Sequence, residues 1–159
     1  MGFSERRADQ GPAVRVRELL RQIATTAGLD ADVVVEEDER ALTGAFVGED
    51  AELLVGDHGR TLDAIQHLAY RTAFAGSSPR KSVVVDAAGY RARRADALCA
   101  AADQAVETAV SEGRPVALAA MNAIERKLVH EHLRDRHEIE SFSEGEEPDR
   151  HLVVAPVVG

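Results

Sequence analysis

The spacing of apolar and polar residues along the chain predicts alternating helices and strands. A first helix begins at Pro12 and ends before Gly28, because its apolar residues recur every three or four positions. Two strand-like runs follow at residues 33–35 and 41–47, with a charged turn between them, and we expect them to pair as a hairpin. Gly44 inside the second run indicates either a bulge or the close approach of another segment.

A second group of elements surrounds a Gly-x-x-Gly sequence at residues 56–59. Asp50 is placed to cap a short helix that ends at Val55, and a longer amphipathic helix follows the glycines as far as Phe74. The β-branched run at 83–85 predicts a third strand over 82–86. The order in this half of the chain is therefore helix, strand, strand, helix, turn, helix, strand.

The second half of the chain predicts a further set of elements, separated by glycine, proline and acidic turn residues. They are a long alanine-rich helix over 89–113, a short strand over 115–118, a helix capped by Asn122 that runs to about Arg136, and two strands over 139–143 and 150–154. The last two strands are joined by an acidic turn and should form a hairpin.

Composition limits the class of protein. The 159 residues, 45% of them hydrophobic, fit one domain or two small ones, and the formal net charge of -9 excludes global steering toward nucleic acid. No apolar run reaches the length of a membrane span and the first residues lack the apolar core of a signal peptide, so we expect a cytoplasmic protein. The single cysteine, Cys99, excludes an internal disulfide, and packing is favoured over reactivity as its role.

The Gly-x-x-Gly sequence has two interpretations. Gly56 and Gly59 let the backbone turn sharply between two helices, which by itself is a common use of glycine. A helix that begins near Arg60 would also direct unpaired backbone N–H groups, at the positive end of its dipole, toward whatever lies over the loop. That geometry suits a phosphate, although Asp57 and His58 stand between the glycines.

Two basic groups are candidates for contact with an anion. Arg91, Arg93 and Arg94 crowd the start of the long helix, where positive charge is unfavourable to the helix dipole, and Arg80 and Lys81 lie close by in sequence. A solvated face and an anion-binding patch both remain open for this stretch.

The second candidate group lies on the predicted helix after Asn122. At 100° per residue, Arg126, His130 and Arg134 project in one row, opposite an apolar strip. The strip is formed by Met121, Ile124 and Leu128. Such a row can contact phosphates and stack on a base, and it is equally typical of a solvated face.

Other chemistry is not indicated. His130, His132 and His137 do not converge on a metal, because His132 lies far around the helix from the other two. Zinc-protease, Walker and nucleophile-elbow sequences are absent. We therefore expect no catalytic residues, no metal, no cofactor and no enzymatic activity.

The order of elements, with Gly-x-x-Gly between the fourth and fifth of them, resembles the bacterial type II KH domain (αββααβ), over roughly Val14 to Ala87. This resemblance implies that the Gly-x-x-Gly backbone clamps a few nucleotides of a single strand, while apolar residues of the adjoining elements form the floor of the site.

Several stretches are similar to the Jag (SpoIIIJ-associated, or KhpB) family, over nearly the whole chain. Arg-Lys-Leu-Val-His at 126–130 matches the signature of the Arg-x-x-x-His domain, a single-stranded nucleic-acid module. Residues 113–118 and 143–148 resemble its surroundings, and residues 56–66 and 86–94 resemble the KH half and the linker of that family.

The resemblance implies an α+β fold with four parts. They are a disordered lead-in over 1–11, a type II KH domain over 12–88, a linker helix over 89–113 and a small α/β Arg-x-x-x-His domain over 114–159. Longer members of the family carry an additional N-terminal domain, which we expect this chain to lack.

The implied function is that of a cytoplasmic bacterial RNA-binding protein, an RNA chaperone or post-transcriptional regulator linked to cell shape and envelope growth. Implied partners are single-stranded RNA, a smaller KH protein or a second copy of the chain. The family name also records an association with a membrane insertase, which implies an indirect link and no membrane insertion.

One departure from the family supports an alternative function. The family loop is commonly basic between its glycines, whereas in this chain Asp57 would repel phosphate and His58 adds no permanent cation. The KH half would then bind RNA weakly unless Arg60 compensates. The alternative is a protein-interaction adaptor, with the KH surface used for dimerisation.

Overall fold

The computed structural model describes residues 10–78 and 81–157. Over those residues the chain has four α-helices and two three-stranded sheets, which confirms the α+β class. It divides into two compact units, the first ending at Arg91 and the second beginning at Ala92. Most of the expected disordered lead-in and Arg80 of the basic stretch lie outside the described residues.

The elements of the first unit follow the order expected from the sequence. They are α1 (Pro12–Thr26), β1 (Asp32–Glu37), β2 (Ala41–Val47), two 3-10 turns (Ala51–Leu54 and Asp57–Gly59), α2 (Arg60–Ala73) and β3 (Ser82–Ala87). The first 3-10 turn stands where a short helix was predicted, and α2 begins at Arg60 as expected.

The sheet of the first unit has the order β1-β2-β3. Strands β1 and β2 form the predicted antiparallel hairpin, and β3 adds to β2 in parallel. Gly44 pairs in continuous register with Val35 and Val85, so there is no bulge at this position. A Cβ atom on Gly44 would lie 2.7 Å from Cδ1 of Leu20, which confirms that the glycine permits the close approach of α1.

Asp50 occupies the predicted N-cap position of the segment after β2, but its side chain does not cap that segment. Asp50 makes no side-chain bond to that segment, and its Oδ2 instead accepts a hydrogen bond from the backbone N–H of Asp30 at 2.7 Å. This bond joins the end of β2 to the loop that precedes β1. The partner is distant in sequence, so the local pattern could not reveal it.

The second unit contains most of the long helix α3 (Tyr90–Glu112), followed by β4 (Val116–Ala117), α4 (Ala123–Leu133), β5 (Ile139–Glu144) and β6 (His151–Pro156). Its sheet has the order β4-β6-β5 with both pairs antiparallel. Its core combines the buried alanine-rich face of α3 with α4 and the sheet. Those core residues are Leu98, Ala102, Ala105, Val106, Ala109, Met121, Val129, Leu133, Ile139, Leu152 and Val154.

Cys99 lies half-buried on α3. Burial, together with the carboxylates of Asp103 and Asp96, raises the pKa of its thiol. A raised pKa leaves less of the reactive thiolate at neutral pH, which supports packing as the role of this residue.

Across the described residues, no helix is both long and apolar enough to cross a membrane.

Candidate nucleic-acid interface

The second unit contains an open groove of about 440 Å³ between α4 and the hairpin of β5 and β6. Its lining combines residues from α4, the two strands and the acidic turn. These residues are Ala123, Arg126, Lys127, His130, Phe142, Ser143, Glu147, Arg150 and Leu152. Three permanent cations and one histidine therefore face one carboxylate, so the groove is locally basic in an acidic chain.

Helix α4 is positioned by a capping box. The side chain of Asn122 accepts a hydrogen bond from the backbone N–H of Glu125 at 2.9 Å, and Oε2 of Glu125 accepts one from the N–H of Asn122 at 3.1 Å. The predicted cap is thus confirmed, while the helix ends at Leu133, before the predicted Arg136. The exact start of α4 determines which of its side chains face the groove.

The predicted apolar strip of this helix is wrong in part. Ile124 is 78% exposed, whereas Arg126, Val129 and Leu133 are buried. Met121 is buried and Leu128 packs against the core, as predicted, although Met121 precedes the cap of α4. The side of α4 that is most deeply buried therefore differs from the side that was predicted.

Arg126 lies on this buried side, with only 8% of its surface exposed. Its guanidinium donates hydrogen bonds through Nη1 to the carbonyl oxygen of Met121 and through Nη2 to Oε1 of Glu147, the latter at 2.6 Å. The expectation that Arg126 projects from a polar, solvated face is therefore wrong. Its stem is buried beside Val129 and Leu133, and its charge is paired at the edge of the groove.

His130 lies one turn further along α4 and is exposed. Its Nδ1 is 2.6 Å from Oγ of Ser141 on β5, so a hydrogen bond fixes the orientation of the ring, with donor and acceptor set by the tautomer. Held in this way, the imidazole directs its other nitrogen, Nε2, away from Ser141. An anion or a base edge in the groove can use that nitrogen.

The conformation of the Gly-x-x-Gly loop in the first unit requires a glycine at both of its ends. Positive φ angles occur at Gly56 (73°), His58 (50°) and Gly59 (80°). A Cβ atom on Gly56 would lie 2.1 Å from Oγ1 of Thr61, and one on Gly59 would lie 2.9 Å from Cε1 of Tyr90. Backbone conformation and packing therefore explain the glycines without a ligand.

The backbone N–H groups at the start of α2 are less available to a ligand than the sequence suggested. The N–H of Arg60 bonds to the carbonyl of Asp57, and the N–H of Leu62 bonds to the carbonyl of Val55 at 3.2 Å. Within the loop, Nδ1 of His58 lies 3.1 Å from Oδ1 of Asp57, and both side chains are largely exposed. The loop thus presents an anion beside an imidazole, and the backbone amides of Gly59, Arg60 and Leu62 already have carbonyl acceptors.

Arg91 is held inside the first unit by three acceptors. Its Nε donates to the carbonyl of Val85 at 2.8 Å, Nη1 to Oδ1 of Asp63 at 3.0 Å, and Nη2 to Oε1 of Gln66 at 3.1 Å. Gln66 Oε1 also accepts the N–H of Val85, so the two side chains cover the free edge of β3 at this residue. Arg91 therefore supports the sheet.

Arg93 and Arg94 belong to the second unit. Nε of Arg94 donates to Oε1 of Glu125 at 2.8 Å, which ties α3 to the capping box of α4. Arg93 is exposed on α3. In the first unit, Nζ of Lys81 donates to Oε1 of Glu37 at 2.8 Å. Arg91, Arg94 and Lys81 thus have protein acceptors, which favours a structural role for much of the basic stretch.

Comparison with known proteins places these features in a family. Residues 96–156 match the family model of the Arg-x-x-x-His domain, which includes the whole groove. RNA-binding protein KhpB of Lactiplantibacillus plantarum is 36% identical over 154 residues, covering 96% of this chain and 48% of the relative. RNA-binding protein KhpB of Bacillus subtilis is 31% identical over 146 residues, covering 91% of this chain and 70% of the relative.

The chain belongs to the KhpB family. A further relative, RNA-binding protein KhpB of Clostridium symbiosum, is 31% identical over 140 residues and 63% of its length is covered. The chain therefore spans about half to 70% of the length of these relatives. The Arg-x-x-x-His domain match begins inside α3, whose buried face belongs to the core of the second unit.

In this KhpB-family chain the groove contains only part of the predicted row. Arg126 and His130 both line it, whereas Arg134 is exposed at the end of α4 and does not. Lys127 and Arg150 line the groove and were not predicted. Lys127 follows the signature arginine directly, but Arg150 reaches the site only through the β5–β6 pairing, which sequence periodicity does not specify.

Phe142 contributes to the groove from its edge. Ser141 faces α4 because it bonds to His130, and Ser143 shares that face since side chains alternate along a strand. Phe142 on β5 consequently points to the opposite face of the sheet, where it is 41% exposed. In this KhpB-family groove, phosphate contact by the cations is better supported than stacking on an aromatic ring.

Proposed function

We propose that the chain is a cytoplasmic single-stranded RNA-binding protein and that the groove of the Arg-x-x-x-His domain is its principal contact with RNA. The observation that carries the proposal is the convergence of Arg126, Lys127, His130 and Arg150 on one open groove of an otherwise acidic chain. Three relatives named RNA-binding protein KhpB support the choice of RNA. The role that fits is an RNA chaperone or post-transcriptional regulator.

We further propose a type II KH domain over residues 12–88, followed by an Arg-x-x-x-His domain that includes most of the helix over 89–113 as well as residues 114–159. The family match that begins at residue 96 supports including the helix, which the sequence alone had suggested as a linker. The order of elements and the parallel pairing of β2 with β3 support the KH assignment. The Gly56–Gly59 loop and Arg60 are then a second, weaker RNA contact. Asp57 opposes phosphate there, and Arg93 and Arg134 are peripheral contacts at most.

The biological setting that we propose is regulation linked to cell shape and envelope growth. A smaller KH protein or a second copy of the chain is the proposed protein partner, and any link to a membrane insertase is indirect. A protein-interaction adaptor is the second candidate. The net charge of -9, the Asp57–His58 pair and the internal use of Arg91 favour that alternative.

The test is the affinity of a short labelled single-stranded RNA, measured by fluorescence anisotropy at several salt concentrations. Lys127→Gln should weaken binding and lower the salt slope by about one, because one phosphate contact is lost. The matched control is Arg21→Gln, which removes one exposed cation from α1, in the other unit.

The adaptor function predicts a different outcome. RNA binding would then be immeasurable in wild type, or Lys127→Gln and Arg21→Gln would change it equally. Either result would overturn the proposal that the groove is the RNA site.

A further inference from the structure

The groove already contains an anion that belongs to the chain. Glu147 stands in the acidic turn between β5 and β6, and its Oε1 accepts a hydrogen bond from Nη2 of Arg126 at 2.6 Å. The contact is an ion pair with unequal partners, since the side chain of Arg126 is 10% exposed and that of Glu147 is 59% exposed. A carboxylate therefore occupies an anion position on the signature arginine.

The difference in exposure between the two side chains determines which of them can leave the ion pair. Arg126 is fixed by its stem and by its bond to Met121, and without an anion its charge would be left poorly solvated. Glu147 can turn into solvent and recover full hydration at little cost. An RNA phosphate entering the groove can take over the bond to Nη2, because phosphate and carboxylate oxygens accept the same charge-assisted hydrogen bonds.

The turn itself does not depend on the Glu147 side chain. Its backbone is closed by the bond from the N–H of Asp149 to the carbonyl of Glu146, and it is tied to the start of α4 by the bond from the N–H of Met121 to the carbonyl of Arg150. Displacement of one carboxylate therefore leaves the walls of the groove in place.

We propose that Glu147 is a built-in competitor of RNA at Arg126. It neutralises the buried arginine in the free protein, and RNA binds in the groove by displacing it. The proposal rests on the proposed function of the groove. It adds that a ligand must make enough contacts in the groove to displace Glu147. Weak or isolated anions do not displace Glu147, whereas a strand that also contacts Lys127 and Arg150 does.

The experiment compares Glu147→Gln with Glu146→Gln in the full chain, with the same labelled RNA as probe. Both variants remove one negative charge from the same turn, but only Glu147 contacts Arg126. The amide of Glu147→Gln keeps an oxygen for Nη2, so the fold should be retained, and thermal melting checks this. We expect roughly a three- to tenfold gain in affinity for Glu147→Gln at low salt, and a smaller gain for Glu146→Gln.

The possible outcomes separate the two proposals. Equal effects of the two variants, or a loss of affinity in a folded Glu147→Gln protein, would overturn the competitor while leaving RNA binding established. The absence of RNA binding in wild type and in both variants would overturn the proposed function, and the competitor with it.

Discussion

Arg126 and His130 lie one helical turn apart on α4 but in different surroundings. Arg126 is buried and bonded to Met121 and Glu147, whereas His130 is exposed and bonded only to Ser141 among the described residues. Removal of the first side chain therefore affects the fold as well as the site. Removal of the second affects mainly the site.

Arg126→Ala should destabilise the second unit by about 1–3 kcal/mol, because the carbonyl of Met121 loses its charged donor and the buried stem of the arginine is lost. It should also abolish RNA binding in the groove. Urea denaturation gives the stability, and anisotropy of labelled RNA gives the affinity. An Arg126→Ala protein as stable as wild type would contradict the buried position described here.

His130→Ala serves as the comparison for that variant. Because the imidazole is exposed, its loss should change the free energy of unfolding little, while the RNA affinity falls through loss of the Nε2 contact. If both variants lose stability equally, His130 is structural too.

At the scale of single residues, the sequence indicates which residues belong to the site better than it indicates their burial and their hydrogen-bond partners. The Arg-x-x-x-His signature locates Arg126 and His130 in the groove, but helical spacing alone places Arg126 on the wrong side of the helix. Arg91 likewise has the sequence context of a basic surface residue and is held by three internal acceptors. Such partners are far away in sequence, so no local pattern contains them.

At the scale of elements, the start of α4 determines the geometry of the site. Asn122 and Glu125 fix the first turn, and Glu125 also accepts Arg94 from α3. One glutamate thus connects the cap, the long helix and the helix that carries the signature. Fraying of this turn would move Arg126 relative to the acidic turn.

Asn122→Ala should cost about 1 kcal/mol of stability, the usual loss when a helix N-cap is removed. Asn122→Asp retains an acceptor for the N–H of Glu125. It should lower the stability by only a few tenths of a kcal/mol. Chemical denaturation of the two variants checks the difference. Equal stabilities for both would show that the cap contributes nothing in this protein.

The elements themselves were largely predictable. The β-branched residues at 33–35 and 83–85 lie in strands, and the alanine-rich repeat of α3 lies in a helix, because these periodicities are local properties of the chain. The groove was not predictable, since it depends on the register of β5 against β6 and on the fold of the acidic turn. Those features are set by contacts between elements.

At the scale of the whole molecule, charge is distributed unevenly. The net charge is -9, yet the groove gathers Arg126, Lys127 and Arg150 around one carboxylate. Attraction of RNA should therefore be local and short in range, with a shallow dependence on salt. The loop of the first unit has the opposite local sign at Asp57.

Asp57→Lys tests whether that loop meets phosphate. If it does, changing the sign of one exposed charge beside the RNA should raise affinity by about tenfold at low salt, with the gain fading as salt rises. Titration of short single-stranded RNA into wild type and variant, at low and high salt, gives the result.

The control for this variant must leave the loop intact. Glu18→Lys makes the same change in net charge on the exposed side of α1. A side chain at Gly56 is unsuitable as a control, because its Cβ would collide with Thr61. Equal gains for Asp57→Lys and Glu18→Lys would indicate a general charge effect and would remove the loop from the RNA interface.

The parallel pairing of β2 with β3 has a consequence for synthesis of the chain. It joins Ala41 to Ser82, so the central strand receives its second neighbour only after the long crossover through both glycines and α2 has emerged. The hairpin of β1 and β2 is local and can form early, whereas contacts distant in sequence form slowly. Val85, which is fully buried against Gly44, arrives near the end. On the ribosome, the central strand β2 therefore keeps one edge unpaired until residues up to 87 have left the exit tunnel.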